Sequence, residues 1–323
     1  MNDATLMAEI IRRLDEMQIR LNTIQAQISN TIIAAAAMGC GKSFLDIKRE
    51  FLKTYPRATG FLADVQYGNL HLLKFLQQIA YQHGITFWLH AGTLIGAVRH
   101  GGFIPWDDDA DIAMMRGDFE HLCHVVTMRD DCTIEKYYND ITCSVSYQFR
   151  IKNLPLFVDI AVWDWTDAPS IESRTEFLSE FHRARTEMQA EFRDKLGAPK
   201  PADIGLHHLG PYAPEIQVKV DNLMQRYADA LQPRQDYGNA IYLGLENYPF
   251  PYPVMAADDM FDLTYAKFED GAFLVPKNIP AYLAGYGDIF SAPPDMGQTP
   301  HMYAFEPHRK TIEQFVEKRK NNE

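Results

Sequence analysis

Four aspartates fall within five positions: Asp107, Asp108, Asp109 and Asp111. Ala110, Ile112 and Met114 alternate with Asp109, Asp111 and Ala113. In a strand, alternate residues share a face, so this spacing sets Asp109 beside Asp111 and turns Ala110 and Ile112 into the core. Two carboxylates on one face repel unless a cation lies between them. Mg²⁺ suits such a pair, because it takes one or two carboxylates and completes its shell with water and phosphate oxygens; Mn²⁺ takes the same oxygen donors. The plain alternative is a solvated acidic loop, or a cluster of Asx turns after Pro105.

The residues before the aspartates have the character of elements that would position them. Ile85 to Leu89 is short, apolar, β-branched and aromatic, which predicts a buried strand. Gly92 and Thr93 end it; glycine admits a ligand close to the backbone, and the threonine hydroxyl can cap a helix. Leu94 to Val98 then predicts a short helical turn whose free N–H groups attract an anion such as phosphate. Arg99 and His100 add basic groups, and Gly101 with Gly102 predicts a turn. Further on, Leu156 to Val162 is apolar except for Asp159. A charge in a buried strand is costly without a partner, so Asp159 is a third carboxylate for the same metal or a structural group paired with Arg150 or Arg99.

The string GTLIGAVRHGGFIPWDDDADIA, Gly92 to Ala113, resembles the LicD family of phosphotransferases, which includes the fukutin-type proteins. Phe268-Glu269-Asp270-Gly271, Val275-Pro276, Tyr282-Leu283, Tyr286-Gly287-Asp288 and Pro293-Pro294 resemble a second segment of that family. The resemblance covers about half the chain. It implies an α+β fold: a nucleotidyltransferase-like mixed sheet flanked by helices, here with an N-terminal coiled-coil helix and a helical insertion. It also implies transfer of a phospho-alcohol such as phosphocholine from a CDP-linked donor, CDP-choline favoured, to a sugar hydroxyl of a cell-surface glycan. Asp109, Asp111 and Asp159 are then the catalytic and metal-binding carboxylates. Gly92, Thr93, Arg99 and His100 are the expected substrate contacts, with Glu269 and Lys277 as further donor contacts. Two other readings stay open: nucleotidyl transfer from an NTP, and an inactive oligomeric scaffold that binds glycan.

The formal net charge of −12 comes without a basic stripe, which argues against nucleic acid as partner and for a small nucleotide or a saccharide. Cys40, Cys123, Cys132 and Cys143 have neither zinc spacing nor disulfide density, and the N-terminus lacks the apolar run of a leader peptide. Both features fit the cytoplasm, with room for peripheral docking on a membrane-bound glycan-synthesis complex.

Residues 5–31 form the clearest helix. Met7, Leu14, Leu21 and Ile28 fall at a positions, and Ile10, Met17 and Ile24 at d positions. That spacing predicts a coiled coil that joins copies of the chain, or else an amphipathic helix packed on its own domain. Gly41-Lys42-Ser43 resembles the end of a phosphate-binding loop, but the position separated from it by four residues is Ala36 rather than Gly, so a helix end with a glycine hinge is preferred. The organisation expected is 1–35 coiled coil, 36–63 linker and short helix, 64–168 catalytic core, 169–240 helical insertion, and 241–323 the rest of the catalytic domain. The aromatic run Tyr248 to Pro253 could stack on a sugar or a base, or cover the core. His301 is read either as a residue near the site or, as is commoner for a lone histidine, as a structural one, and the polar tail from Pro307 as a helix that frays.

Overall fold

We describe a computed structural model of the chain, which describes residue 39 and residues 41–139, 142–168, 170–196, 213–231, 237–247, 253–290 and 301–321. The heptad segment 5–31 and the aromatic run up to Tyr252 lie outside the described residues.

Helix α1 (Phe44–Thr54) opens on Ser43, whose hydroxyl accepts from the Asp46 N–H at 3.1 Å. Lys42 pairs with Glu50. These residues therefore cap and flank the start of a helix; the helix end expected before them lies outside the described residues. Helix α2 (Gly60–His83) buries Val65, Leu72, Leu73, Leu76 and Ile79, the helical stripe visible in the sequence. It ends at Gly84, whose φ of 66° is the left-handed cap that a side chain would resist.

A mixed sheet follows. Strand β1 (Trp88–Leu89) runs antiparallel to β2 (Asp111–Met115), and β2 runs parallel to β5 (Val158–Thr166). The hairpin β3 (Cys132–Asn139) and β4 (Ser144–Ile151) joins the other edge of β5 along its first residues. Strand β6 (Ala240–Leu243) pairs with the last residues of β5 and carries the short β7 (Val254–Ala256). The predicted strand at Ile85 to Leu89 shrinks to two residues, and Asp109 lies just before β2 rather than in it. Helix α3 (Ala91–His100) links β1 to β2, and α4 (Arg116–Thr127) packs Phe119, Leu122, Val125 and Val126 on the sheet. A separate hairpin, β8 (Thr264–Phe268) and β9 (Gly271–Val275), closes over α3 and β1. The result is an α+β domain with a mixed sheet flanked by helices, as the resemblance implies.

The insertion is helical, as expected: α5 (Ile171–Leu196) and α6 (Ala213–Leu231) pack Leu178, Phe181 and Leu223 against Tyr242 and Leu245. Buried Arg185 of α5 donates to the carbonyls of Leu245 and Asn247. In the same turn Glu246 meets Arg116 at 2.6 Å, and Arg116 forks onto Asp164 of β5 at 2.7 and 2.9 Å. A polar triad thus ties the insertion to the far end of the strand that begins with Asp159. The tail was expected to fray. Instead its helix, α7 (Arg309–Lys320), buries Ile312 and Val316 against α2. Two well-spaced apolar residues suffice because the neighbouring helix completes the core.

Gly96 of α3 crosses the Gly102 turn so closely that a Cβ would come 2.4 Å from the Gly102 carbonyl oxygen. Helix propensity favours alanine by about 1 kcal/mol, but a backbone collision costs about 1–3 kcal/mol. Gly96→Ala should therefore lower the denaturation midpoint. Gly117→Ala, where a Cβ meets open space, should leave it unchanged or raise it. Equal midpoints for the two variants would contradict the described α3 packing.

Candidate active site

The β1–α3 junction is built around Asp111. The His90 N–H donates to the Asp111 carbonyl at 3.1 Å, and the Asp111 N–H donates to the Thr93 hydroxyl at 2.7 Å. The Gly92 N–H in turn donates to the Asp111 carboxylate. A Cβ on Gly92 would come 2.8 Å from an Asp107 carboxylate oxygen, so glycine is needed for this close approach. Ala91 has a φ of 42°, a strained value for a side-chain-bearing residue at the same junction. The helix start was expected to offer free N–H groups to phosphate, and Thr93 to cap it. The Gly92 N–H instead grips a carboxylate, and Thr93 lies within the helix and accepts from the next strand.

Parallel pairing places Asp111 level with Asp159, and the Asp159 N–H donates to the Ala110 carbonyl at 2.9 Å. Oxygens of Asp109, Asp111 and Asp159 all lie within 4.8 Å of one another. Burial holds all three carboxyls above their ordinary range; Asp111 is pushed further by Asp109, Asp159 and Asp107. Asp159 rises to about 7 through burial and the charge of Asp109, against the opposing pull of His301, a hydrogen bond from Gln148, and Arg150. Asp107 also rises, through burial and its neighbour Asp109, with which it shares a hydrogen bond.

His301, left open between a structural and a site residue, stands inside the cluster. Its N–H donates to Asp108 Oδ2 at 2.7 Å, its Nδ1 lies 3.1 Å from Asp108 Oδ1, and Asp109 Oδ2 is 3.5 Å away. Burial works against its charge, yet the hydrogen bond to Asp108 and the charges of Asp109, Asp108 and Asp159 lift it to about 9. It is therefore an imidazolium at neutral pH. Asp108, fully buried, has its carbonyl held by Asn69 at 3.0 Å. No local pattern marks His301, because 190 residues of chain separate it from the aspartates; only the fold brings it there. His90 was likewise unassigned. Burial lowers it to about 4, so it is neutral. Trp88 Nε1 donates to the Tyr282 hydroxyl at 2.9 Å, which leaves that hydroxyl to donate to His90 Nδ1 at 2.6 Å and puts the imidazole proton on Nε2.

The remaining expected contacts lie differently. Arg99 is buried; its Nη1 donates to the Ile289 carbonyl at 2.7 Å, its Nε donates to His100 Nε2 at 2.9 Å, and its head lies over Trp106. His100, lowered to about 3 by burial and then by Arg99 and Arg57, is neutral. Glu269 accepts from the Phe103 N–H at 2.8 Å and from Arg57 at 2.7 Å, and thereby fastens the β8–β9 turn to the Gly101–Phe103 loop. Lys277 pairs with Asp262 on the surface. Arg99, His100 and Glu269 brace the frame. Gly92 and Thr93 stay at the site, as the residues that hold Asp111.

The fold and the carboxylates define a nucleotidyltransferase-like domain. Residues 84–197 match the family model described as LicD/FKTN/FKRP, nucleotidyltransferase domain. The chain is 24% identical over 259 residues to the lipopolysaccharide cholinephosphotransferase LicD of Haemophilus influenzae, across 74% of this chain and 95% of that protein. A 35-residue stretch is 49% identical to the ribitol 5-phosphate transferase FKRP of human and mouse, covering 11% of this chain and 7% of theirs. Residues 84–197 are thus similar to the LicD-type nucleotidyltransferase domain.

Every group raised here binds more protons folded than unfolded, so each makes stability fall as pH rises. Asp159 contributes this loss up to about 7, and His301 contributes it from 6.5 to about 9. The melting temperature in chelator should therefore decline from about pH 6 to about pH 9, and His301→Gln should flatten the upper part of the decline. A flat wild-type profile would contradict the buried cluster.

Proposed function

We propose that the protein transfers a phospho-alcohol, phosphocholine or a similar group, from a CDP-linked donor to a sugar hydroxyl of a cell-surface glycan, with Mg²⁺ or Mn²⁺. The observation that carries this reading is the convergence of Asp109, Asp111 and Asp159 within 4.8 Å, levelled by the β2–β5 register. The activities named for the relatives, cholinephosphate transfer and ribitol 5-phosphate transfer, support a phospho-alcohol as the group moved.

The residues fit a hard divalent ion. Three carboxylates supply oxygen donors only, and their mutual repulsion is the electrostatic demand that a dication meets. When bound there, the ion would neutralise charge on the donor diphosphate and on the departing CMP. The chain's own residues do the rest. The Gly92 N–H and the Thr93 hydroxyl hold Asp111 in place against its neighbours. Asp159, raised to about 7, is suited either to ligate or to take the acceptor hydroxyl proton on a carboxylate oxygen. His301, braced by Asp108, brings positive charge against Asp109.

No helix among the described residues is long and apolar enough to cross a membrane. We place the reaction at the cytoplasmic side, where CDP-linked donors are made, with the glycan acceptor presented by a membrane-bound complex. Residues 5–31 would join copies of the chain through their heptads. Light scattering on the full chain should show an oligomer that Leu14→Pro with Leu21→Pro dissociates; a monomeric wild type would rule this out.

The reaction is tested by thermal shift with CDP-choline, CDP-ribitol, CDP-glycerol and CTP, each with and without Mg²⁺. A ligand at a hundred times its dissociation constant stabilises by about 2.7 kcal/mol. A Mg²⁺-dependent shift with one CDP-alcohol, followed by CMP release, is expected. Asp111→Asn should remove both, and should melt no lower than wild type in chelator, because it relieves repulsion. Pyrophosphate release from CTP alone would instead indicate nucleotidyl transfer, and full turnover by Asp111→Asn would reject the site.

A further inference from the structure

The sheet register continues the carboxylate site beyond Asp159. Asp111 pairs with Asp159, Asp159 with Gln148, and Gln148 with Glu135. Residues level with one another on neighbouring strands share a face, so these four side chains form one row across β2, β5, β4 and β3. At strand spacing the row runs about 15 Å from Asp111 to Glu135.

Arg150 stands on the same face of β4, two residues from Gln148. Its Nη2 donates to Gln148 Oε1 at 2.5 Å, and its Nε lies 3.0 Å from Glu135 Oε2. Gln148 is buried and makes a side-chain hydrogen bond to the Asp159 carboxylate. Because its oxygen faces Arg150, its amide N–H₂ is the group turned to Asp159. The Arg150 head also lies 4.9 Å from the centre of the Phe157 ring, and Phe157 in turn meets His301 edge to face. The guanidinium is therefore pinned on three sides beside the metal-binding carboxylates. Its side chain remains 23% exposed, and Nη1 has no hydrogen-bond partner among the described residues.

A donor diphosphate brings about two negative charges to a site where three carboxylates already outnumber one divalent ion by a charge. It needs a further cation. Arg99 donates to Ile289, His100 is neutral, Lys277 pairs with Asp262, and His301 is held by Asp108. Arg150 acts electrostatically on Asp159 and has an open donor edge. A planar guanidinium also matches phosphate oxygens better than a lysine ammonium.

We infer that Arg150 is the side chain that binds the phosphate oxygens of the donor, with Gln148 and Glu135 as the positioning residues that hold it. This rests on the transfer reaction proposed above. In that reaction the acceptor oxygen bonds to the phosphorus of the phospho-alcohol, and the bond from that phosphorus to the bridging oxygen breaks. CMP leaves with the electron pair, and the acceptor proton passes to Asp159 or water. Arg150 would meet the non-bridging oxygens as charge builds on them.

The test compares wild type, Arg150→Gln, Arg150→Lys and Asp111→Asn in full-length protein. It measures CMP release from CDP-choline with a glycan acceptor, Mn²⁺ affinity, and the affinities of CDP and cytidine. Arg150→Gln should lose about 100-fold in kcat/KM, with Arg150→Lys between it and wild type. It should bind Mn²⁺ within twofold of wild type, and should lose affinity for CDP but not for cytidine. Unchanged CDP affinity and kcat/KM in Arg150→Gln, with Asp111→Asn inactive, would overturn this inference and leave the transferase reading standing. Loss of Mn²⁺ affinity in Arg150→Gln would also overturn it, by assigning the arginine to the support of Asp159. Wild-type protein that shows neither Mn²⁺ binding nor CDP-dependent turnover would remove the transferase reading and this inference together.

Discussion

The parallel pairing of β2 with β5 is the constraint on which the rest depends. It brings Asp111 level with Asp159, two half-buried carboxyls on adjacent strands that repel each other in the absence of a cation. Like charges so placed destabilise the folded chain, so the surrounding structure must hold them there. The Gly92 N–H and the Thr93 hydroxyl do so from α3, and the Gln148 amide from β4. The strained φ of Ala91 falls at the same junction. Stability is thus given up locally for a site that can take a divalent ion, and the large apolar core of the sheet and α2 compensates.

The cluster is also organised by charge. Asp108 is not a fourth ligand of the same kind: both of its oxygens are engaged by His301. It serves to keep the imidazolium facing Asp109. Arg150, whose head lies on the Phe157 ring that His301 also meets, acts on Asp159. The carboxylates therefore feel two cations delivered by distant parts of the chain, one from the C-terminal segment and one from the β3–β4 hairpin. Such an arrangement moderates the repulsion without neutralising the ligands, which a metal site requires.

The α5–α6 helices reach β5 by its other end. Arg116, Asp164 and Glu246 bind the turn that Arg185 of α5 also grips, and Asp164 lies on the same strand as Asp159. A buried ion group of this sort contributes little net stability but specifies geometry by penalising any arrangement that leaves a charge unpaired. The α5–α6 helices are therefore joined to the strand that carries Asp159.

The sequence by itself determined the existence of most elements, because the α2 and α4 stripes, the β5 run and the aspartate alternation are local patterns with a 3.6- or 2-residue period. It also determined Asp109, Asp111 and Asp159 as a set, since carboxylates in apolar surroundings are conspicuous. Boundaries moved by a few residues where a cap, not the periodicity, set the end: the turn expected at Leu94 to Val98 runs on to His100, where Gly101 closes it through left-handed backbone. Tertiary structure alone decided which polar residues belong to the site. Arg99 and Glu269 share the motif yet turn to Ile289 and Phe103, because their side chains find buried carbonyl and N–H partners in segments brought from far along the chain. His301, Gln148 and Arg150 reach the carboxylates through long-range pairing of strands and of the C-terminal segment. Local sequence encodes faces and ends, whereas register between distant strands fixes which faces meet.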